Sequence, residues 1–169
     1  RVCSSGSGHS PSGVIETFFR AGGRAVVRPL WHPDVLPLRG AMRSTAAERT
    51  LGLGRDVLEA SSIGVGDALV VFSNSGVNRY PVEMAQAARE RGASVVAITS
   101  RTASDAAPLR AGVRLHELAD VVLDTMVPLG DATWQADATV VGPACTVATQ
   151  DRETAVPGPD AQAPPESSG

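Results

Sequence analysis

Short, uninterrupted apolar runs alternate along this chain with stretches whose apolar residues recur at helical spacing. The clearest run is Ala68-Leu69-Val70-Val71-Phe72, opened by the turn Gly66-Asp67 and closed by the small polar cluster Ser73-Asn74-Ser75-Gly76. Its length, continuous apolarity and bounding turns are those of a strand buried on both faces in a parallel sheet. Residues 79–91 after it follow a helical period and stop at Gly92, and residues 94–99 form a further apolar strand.

Upstream, residues 1–4 read as a short strand. A helix starts at Ser10-Pro11, with Ser as the cap and Pro in the first turn, and runs to about Ala21 before Gly22-Gly23. Residues 25–30 form a second strand, and residues 31–43, with Pro33 and Pro37, form a loop. Thr45-Ala46-Ala47-Glu48 fits a capping box opening a helix to about Ala60, loosened by Gly52 and Gly54. Downstream, a Ser/Thr/Ala-rich loop carries Arg101 and Arg110, residues 115–119 form a helical turn, and residues 121–124 a fifth strand. Residues 127–134 read as loop, and residues 138–148 either begin a helix or lie across the surface. From Thr149 onward, prolines among Ser, Gly, Gln and acidic residues read as a disordered tail. The alternation predicts an α/β fold, a doubly wound, mostly parallel five-stranded sheet with helices on both faces in a three-layer sandwich.

Composition narrows the class. With 169 residues, 43% of them hydrophobic, the chain suits one domain with a real core. At 4% aromatic content that core must be mainly aliphatic. A net charge of −3 without a basic run argues against nucleic acid as a partner. All 15 basic residues are arginine, which excludes Schiff-base and P-loop lysine chemistry. Cys3 and Cys145 stand far apart, form no metal-ligand spacing and read as free thiols. No apolar run approaches the ~18 residues of a membrane span and the first residues do not resemble a signal peptide, so a cytoplasmic protein is expected. The chain begins at Arg1 within a strand pattern rather than at Met, which reads as a fragment.

In a doubly wound sheet, ligands bind beyond the strand carboxyl ends where strand order reverses. Two Ser/Gly-rich turns stand at such ends, Gly6-Ser7-Gly8-His9-Ser10 and Ser73-Asn74-Ser75-Gly76. If the first and third strands are neighbours, the turns converge on a small anion pocket lined by Ser7, Ser10, Ser73, Ser75 and Asn78, with two helix N-termini pointing into it. Each turn taken alone reads more readily as ordinary turn and capping chemistry, and it is the pair at the switch point that favours a pocket.

Other chemistries fit less well. Pro11 stands where a dinucleotide fingerprint needs its third glycine, so no nicotinamide cofactor is expected, nor any other. Gly8-His9-Ser10-Pro11-Ser12 is not a nucleophile elbow, since position 12 is Ser rather than Gly. His9 reads as a turn residue, a pocket-wall donor or a proton donor. Glu48 is either a general base beside the pocket or the capping-box partner of Thr45. Glu16 and Glu83 read as solvated helix faces, and Asp131 as part of an exposed turn.

Gly6-Ser7-Gly8-His9-Ser10, Phe18-Phe19-Arg20-Ala21-Gly22-Gly23, Ser44-Thr45-Ala46-Ala47-Glu48-Arg49, Gly66-Asp67, Ser73-Asn74-Ser75-Gly76-Val77-Asn78 and Gly130-Asp131-Ala132 occur here in order. Together they resemble a sugar isomerase (SIS) domain, in a branch related to N-acetylmuramic acid 6-phosphate etherases and phosphoheptose isomerases. The resemblance covers residues 1–148 and leaves residues 149–169 as the tail. It implies a flavodoxin-like sandwich that binds a sugar phosphate, as a homodimer or larger homo-oligomer when full length; the charge and hydropathy above add no nucleic acid and no membrane as expectations. The Ser-x-Ser-Gly-x-Thr phosphate turn of the family falls on Ser73, Asn74, Ser75 and Gly76, with Asn78 in place of Thr, and the serine of the first turn on Ser10. Glu48 and His9 become the candidate catalytic residues of an isomerase or an ether-cleaving lyase. The alternative is a sensing module or inactive fragment that binds without turnover. Departures from the family are a helix expected before the first strand, a tail where relatives continue into helices, and Leu51 where an acid is common.

Overall fold

The fold is described from a computed structural model, which places residues 1–18, 27–130, 132–136 and 139–143. Its centre is a sheet of five parallel strands, β1 (Val2–Gly6), β2 (Val27–Pro29), β3 (Ala68–Phe72), β4 (Ser94–Thr99) and β5 (Val121–Asp124), in the order β2-β1-β3-β4-β5. The chain first adds β2 on one side of β1, then crosses back to place β3 on the other, so the order reverses between β1 and β3. The register there is direct, Val2 opposite Ala68 and Gly6 opposite Phe72.

Alternation along β3 divides the core in two. Leu69 and Val71 point into the larger cluster with Val95, Ala97, Leu58, Tyr80 and Met84. Phe72 points to the opposite face, where it packs with Val14 and Ile98. The first face is covered by α3 (Leu53–Glu59), α4 (Arg79–Glu90) and α6 (Leu115–Leu118), the second by α1 (Pro11–Phe18). This is the doubly wound α/β sandwich expected from the sequence. As expected from the low aromatic content, the large cluster is mostly Val, Leu and Ala.

Several local expectations are corrected. The region read as one helix from Thr45 is two, α2 (Ala41–Ala47) and α3, broken at Glu48 to Gly52. Glu48 closes α2 as its C-cap, so it is not the capping-box partner of Thr45. Gly52, which was expected only to loosen a helix, takes the left-handed conformation at φ 86° and opens α3. The preceding loop contains two single 3-10 turns, Pro33–Val35 and Pro37–Arg39. The Ser/Thr/Ala-rich segment after β4 folds into α5 (Arg101–Ala106), because the Ser100 hydroxyl accepts the Ala103 N–H at 3.1 Å. In place of loop and helix, β6 (Ala132–Ala136) and β7 (Thr139–Pro143) form an antiparallel pair.

Glu83 is not on a solvated face. It is 8% exposed and its carboxylate accepts the N–H groups of Gly52 and Gly54 at 3.0 and 3.2 Å, capping α3 from α4. The two helices cross so closely that a Cβ on Gly54 would stand 2.3 Å from the Tyr80 carbonyl oxygen. Cys3 is buried and unbridged. Cys145, Asp131, the predicted end of α1 and the Pro-rich tail lie outside the described residues. No helix among the described residues is long and apolar enough to cross a membrane.

Candidate functional site

The two polar turns meet where strand order reverses. After β1, the chain passes through Ser7, Gly8, His9 and Ser10 into α1, with the Ser10 N–H donating to the Ser7 carbonyl at 3.2 Å. Gly8 takes φ 65° and donates its N–H to the Val35 carbonyl at 3.0 Å, which ties the turn to the first 3-10 segment. A Cβ on Gly6 would stand 3.1 Å from both the Phe72 carbonyl oxygen and the Ser10 Cβ, so the turns abut and glycine is what lets them.

The turn after β3 is held from beneath. Ser73 donates its N–H to the Ile98 carbonyl at 3.0 Å, and its hydroxyl accepts the Gly76 N–H at 3.3 Å. The Asn74 carbonyl accepts the Thr99 hydroxyl and the Ser100 N–H at 3.0 and 2.9 Å. The Asn74 side-chain oxygen accepts the Thr125 hydroxyl at 3.0 Å. Ser73 and Asn74 therefore spend much of their polar capacity shaping the turn, and the ends of β4 and β5 serve as its foundation.

What remains open is the rim. The backbone N–H groups of Ser75, Val77, Asn78 and Arg79 meet no carbonyl among the described residues, and Pro81 in the first turn of α4 has no N–H to offer. The hydroxyls of Ser10 and Ser75 also have no hydrogen-bond partner among the described residues. Unpaired donors at the start of a 12-residue helix, backed by its dipole, suit an anion.

Glu48 stands between the turns. The Ser7 hydroxyl donates to its carboxylate at 3.2 Å, and its own carbonyl accepts the Tyr80 N–H at 3.0 Å, fixing the end of α2 to the first turn of α4. Burial pushes the Glu48 carboxyl above the usual glutamate range, against the opposing effects of Ser7, Arg49, Arg110 and the Asn78 amide. The Asn78 side chain, 7% exposed, does not cap α4; its Oδ1 accepts from Arg110 Nη1 at 2.7 Å.

The structure thus brings Ser7, Ser10, Ser73, Asn74, Ser75, Gly76, Asn78 and Glu48 together. His9 belongs to the first turn, and its side chain is exposed. The part played by Arg110 escaped sequence reasoning, since a lone arginine in a loop carries no signal of what it touches. Thr99, Ser100 and Thr125 escaped it too, although a serine directly after a strand and before helix-forming residues is a recognisable cap. No group of three or more His, Cys, Asp or Glu side chains able to hold a metal occurs among the described residues. A separate open groove of about 460 Å³, lined by residues that include Leu30, Trp31, Leu53 and Val57, shares no lining residue with this site.

Residues 1–100 match the family model of the SIS domain. Over 148 residues the chain is 43% identical to a UPF0309 protein of Brucella anthropi, and equally to UPF0309 proteins of Brucella ovis and Brucella canis. These alignments cover 86% of this chain and 61% of each relative, so the chain spans less than two thirds of their length. Among solved structures, a Salmonella typhimurium LT2 protein proposed to be a phosphosugar isomerase matches with a TM-score of 0.50 at 15% identity, over 92% of this chain and 38% of that one. That likeness is one of fold.

Proposed function

Since the chain belongs to the SIS domain family, we propose that it binds a sugar phosphate, with the phosphate on the turn between β3 and α4 and the sugar toward Glu48. The observation that carries this reading is the set of N–H groups at Ser75, Val77, Asn78 and Arg79, and the hydroxyls of Ser75 and Ser10 beside them, that have no partner among the described residues. A phosphate ester offers the acceptors such a set requires, and a helix N-terminus favours its charge.

For turnover, an aldose–ketose isomerase or an ether-cleaving lyase needs a base that takes a carbon-bound proton. Glu48 suits that role because partial burial raises its carboxyl above the usual glutamate range while Ser7 and Asn78 steady its ionised form. A second reading is a phosphosugar sensor without turnover. It is favoured by the exposed position of His9 in the β1 turn, since among the described residues no histidine is hydrogen-bonded to Glu48.

Titration of the chain with hexose, heptose and amino-sugar phosphates, followed by thermal shift, tests binding, because a ligand of the native state alone raises Tm. Ser75→Ala is expected to weaken the best ligand at least about tenfold, the loss of one hydrogen bond to a charged group. Equal affinity in that variant would remove the cradle. Glu48→Gln with retained binding and lost turnover supports the enzyme, and a parent chain that binds but turns nothing over supports the sensor.

A further inference from the structure

We propose that Arg110 is a positioning residue that, beyond the direct effect of its charge, acts through Asn78 on Glu48, orienting the Asn78 amide so that its donor end serves the half-buried carboxylate. The geometry starts from hydrogen-bond inventory. A guanidinium has donors and no acceptor, so the Asn78 atom 2.7 Å from Arg110 Nη1 must be the amide oxygen. The amide nitrogen then points away from the arginine, and Asn78 lies near enough to Glu48 to stabilise its charge. Without Arg110 the amide is free to rotate by half a turn about its terminal bond. That would present an oxygen to the carboxylate, two acceptors facing one another.

The residues sit where such a relay would matter. Asn78 is buried at the N-cap of α4 yet makes no side-chain bond to the helix, so its amide is not committed to capping. Arg110 reaches it from the loop between α5 and α6, 32 residues away in sequence. On the other side, Ser7 donates to Glu48 Oε2 at 3.2 Å, and a Cβ added at Gly8 would stand 3.8 Å from the same oxygen. Among the described residues the charged groups acting on Glu48 are Arg49, next to it in the chain, and Arg110. The chain thus supports one half-buried carboxylate from the β1 turn, the α2 terminus, the α4 terminus and the α5–α6 loop. This inference rests on reading Glu48 as the functional carboxylate of the site, and its test needs no sugar.

The test is a ¹³C NMR titration of the glutamate side-chain carboxyls in the whole chain, with the Glu48 signal assigned by its loss in Glu48→Gln. Arg110→Gln is expected to move the Glu48 midpoint to higher pH, and Arg110→Lys, which keeps a charge but not the planar fork, to move it less. In an Asn78→Ala background the Arg110→Gln shift is expected to shrink. Arg101→Gln, at an exposed position at the start of α5, is expected to leave the midpoint where it is. An Arg110→Gln variant with the parental Glu48 midpoint would overturn the proposal. So would a full Arg110→Gln shift without Asn78, since the arginine would then act on the carboxylate by its charge alone. A relay confirmed in a chain that binds no sugar phosphate would sink the proposed ligand and leave the relay standing.

Discussion

The turns after β1 and β3 look alike in sequence, each a run of Ser and Gly between a strand and a helix, but they are held in different ways. The β3 turn is pinned by its neighbours in the sheet. Ile98, Thr99, Ser100 and Thr125, at the ends of β4 and β5, fix its backbone and the Asn74 side chain. Among the described residues, the β1 turn is held by its own Ser10-to-Ser7 bond, by one backbone bond to Val35 and by Ser7 against Glu48. The difference separates support from reactivity. A turn whose polar atoms are satisfied from beneath can leave its rim donors unpaired for a ligand, whereas a turn that leans on a carboxylate can respond to the charge of that carboxylate.

The sharpest way to break this contrast is a methyl group at the matching glycines. Gly76 sits at φ 59°, and a Cβ there would lie 3.0 Å from the Thr99 hydroxyl oxygen and 3.2 Å from the Leu115 Cβ. Gly76→Ala is therefore expected to cost about 2–4 kcal/mol in urea unfolding, from left-handed strain plus crowding. Gly8 has a similar φ of 65°, but its nearest atom would be Glu48 Oε2 at 3.8 Å. Gly8→Ala should cost only the strain, about 1–2 kcal/mol. Equal costs would mean that the two turns are equally pinned.

A smaller effect tests the foundation itself. Thr125→Val removes the donor to the Asn74 side chain and leaves that oxygen without its partner. The expected loss is about 1–2 kcal/mol by the same unfolding measurement, and no loss would mean that the Asn74 side chain does not depend on β5.

Glu48 supplies a test with the opposite sign. Its carboxyl is raised by burial in the folded chain, so above the unfolded value of ~4.3 the unfolded state ionises more readily and stability falls as pH rises through the folded value. Below both values the group is protonated in both states and the effect vanishes. Glu48→Gln, which keeps an acceptor for Ser7, should raise Tm at pH 7 by roughly 2 °C. The gain should close as pH falls toward the usual glutamate range. A variant less stable than the parent at pH 7 would mean that the contacts to the ionised form outweigh its burial. The smallest effect is expected at His9, exposed in the β1 turn, where His9→Ala should change stability by no more than about 0.5 kcal/mol.

Much of the fold was legible because parallel strands announce themselves. The apolar run 68–72 and the alternation of strand and helix predict the sheet, and the crossover rules leave few ways to close it. Both Ser/Gly turns were legible for the same reason, since they interrupt strong periodic signals. The break at 48–52 was not, because helical propensity runs through it and the cause lies elsewhere, in the Glu83 carboxylate that offers Gly52 and Gly54 a better partner than a continuous helix would. Glu83 itself was misplaced because a glutamate on a helix is usually solvated, and only the close α3–α4 crossing buries this one. The relay from Arg110 joins residues from three distant parts of the chain, and local pattern holds no information about such a meeting.

The anchoring of the 48–54 segment has a mechanical consequence. The Glu48 carbonyl is bound to the Tyr80 N–H, and the Glu83 carboxylate holds Gly52 and Gly54, so this connection is stapled at both ends to the first turns of α4. The carboxylate and the helix end that would receive an anion then share one rigid frame. A force applied to either by a ligand would travel as a joint displacement rather than a change in their separation. In hydrogen exchange, the amides of Gly52, Gly54 and Tyr80 should open and close as one cooperative unit.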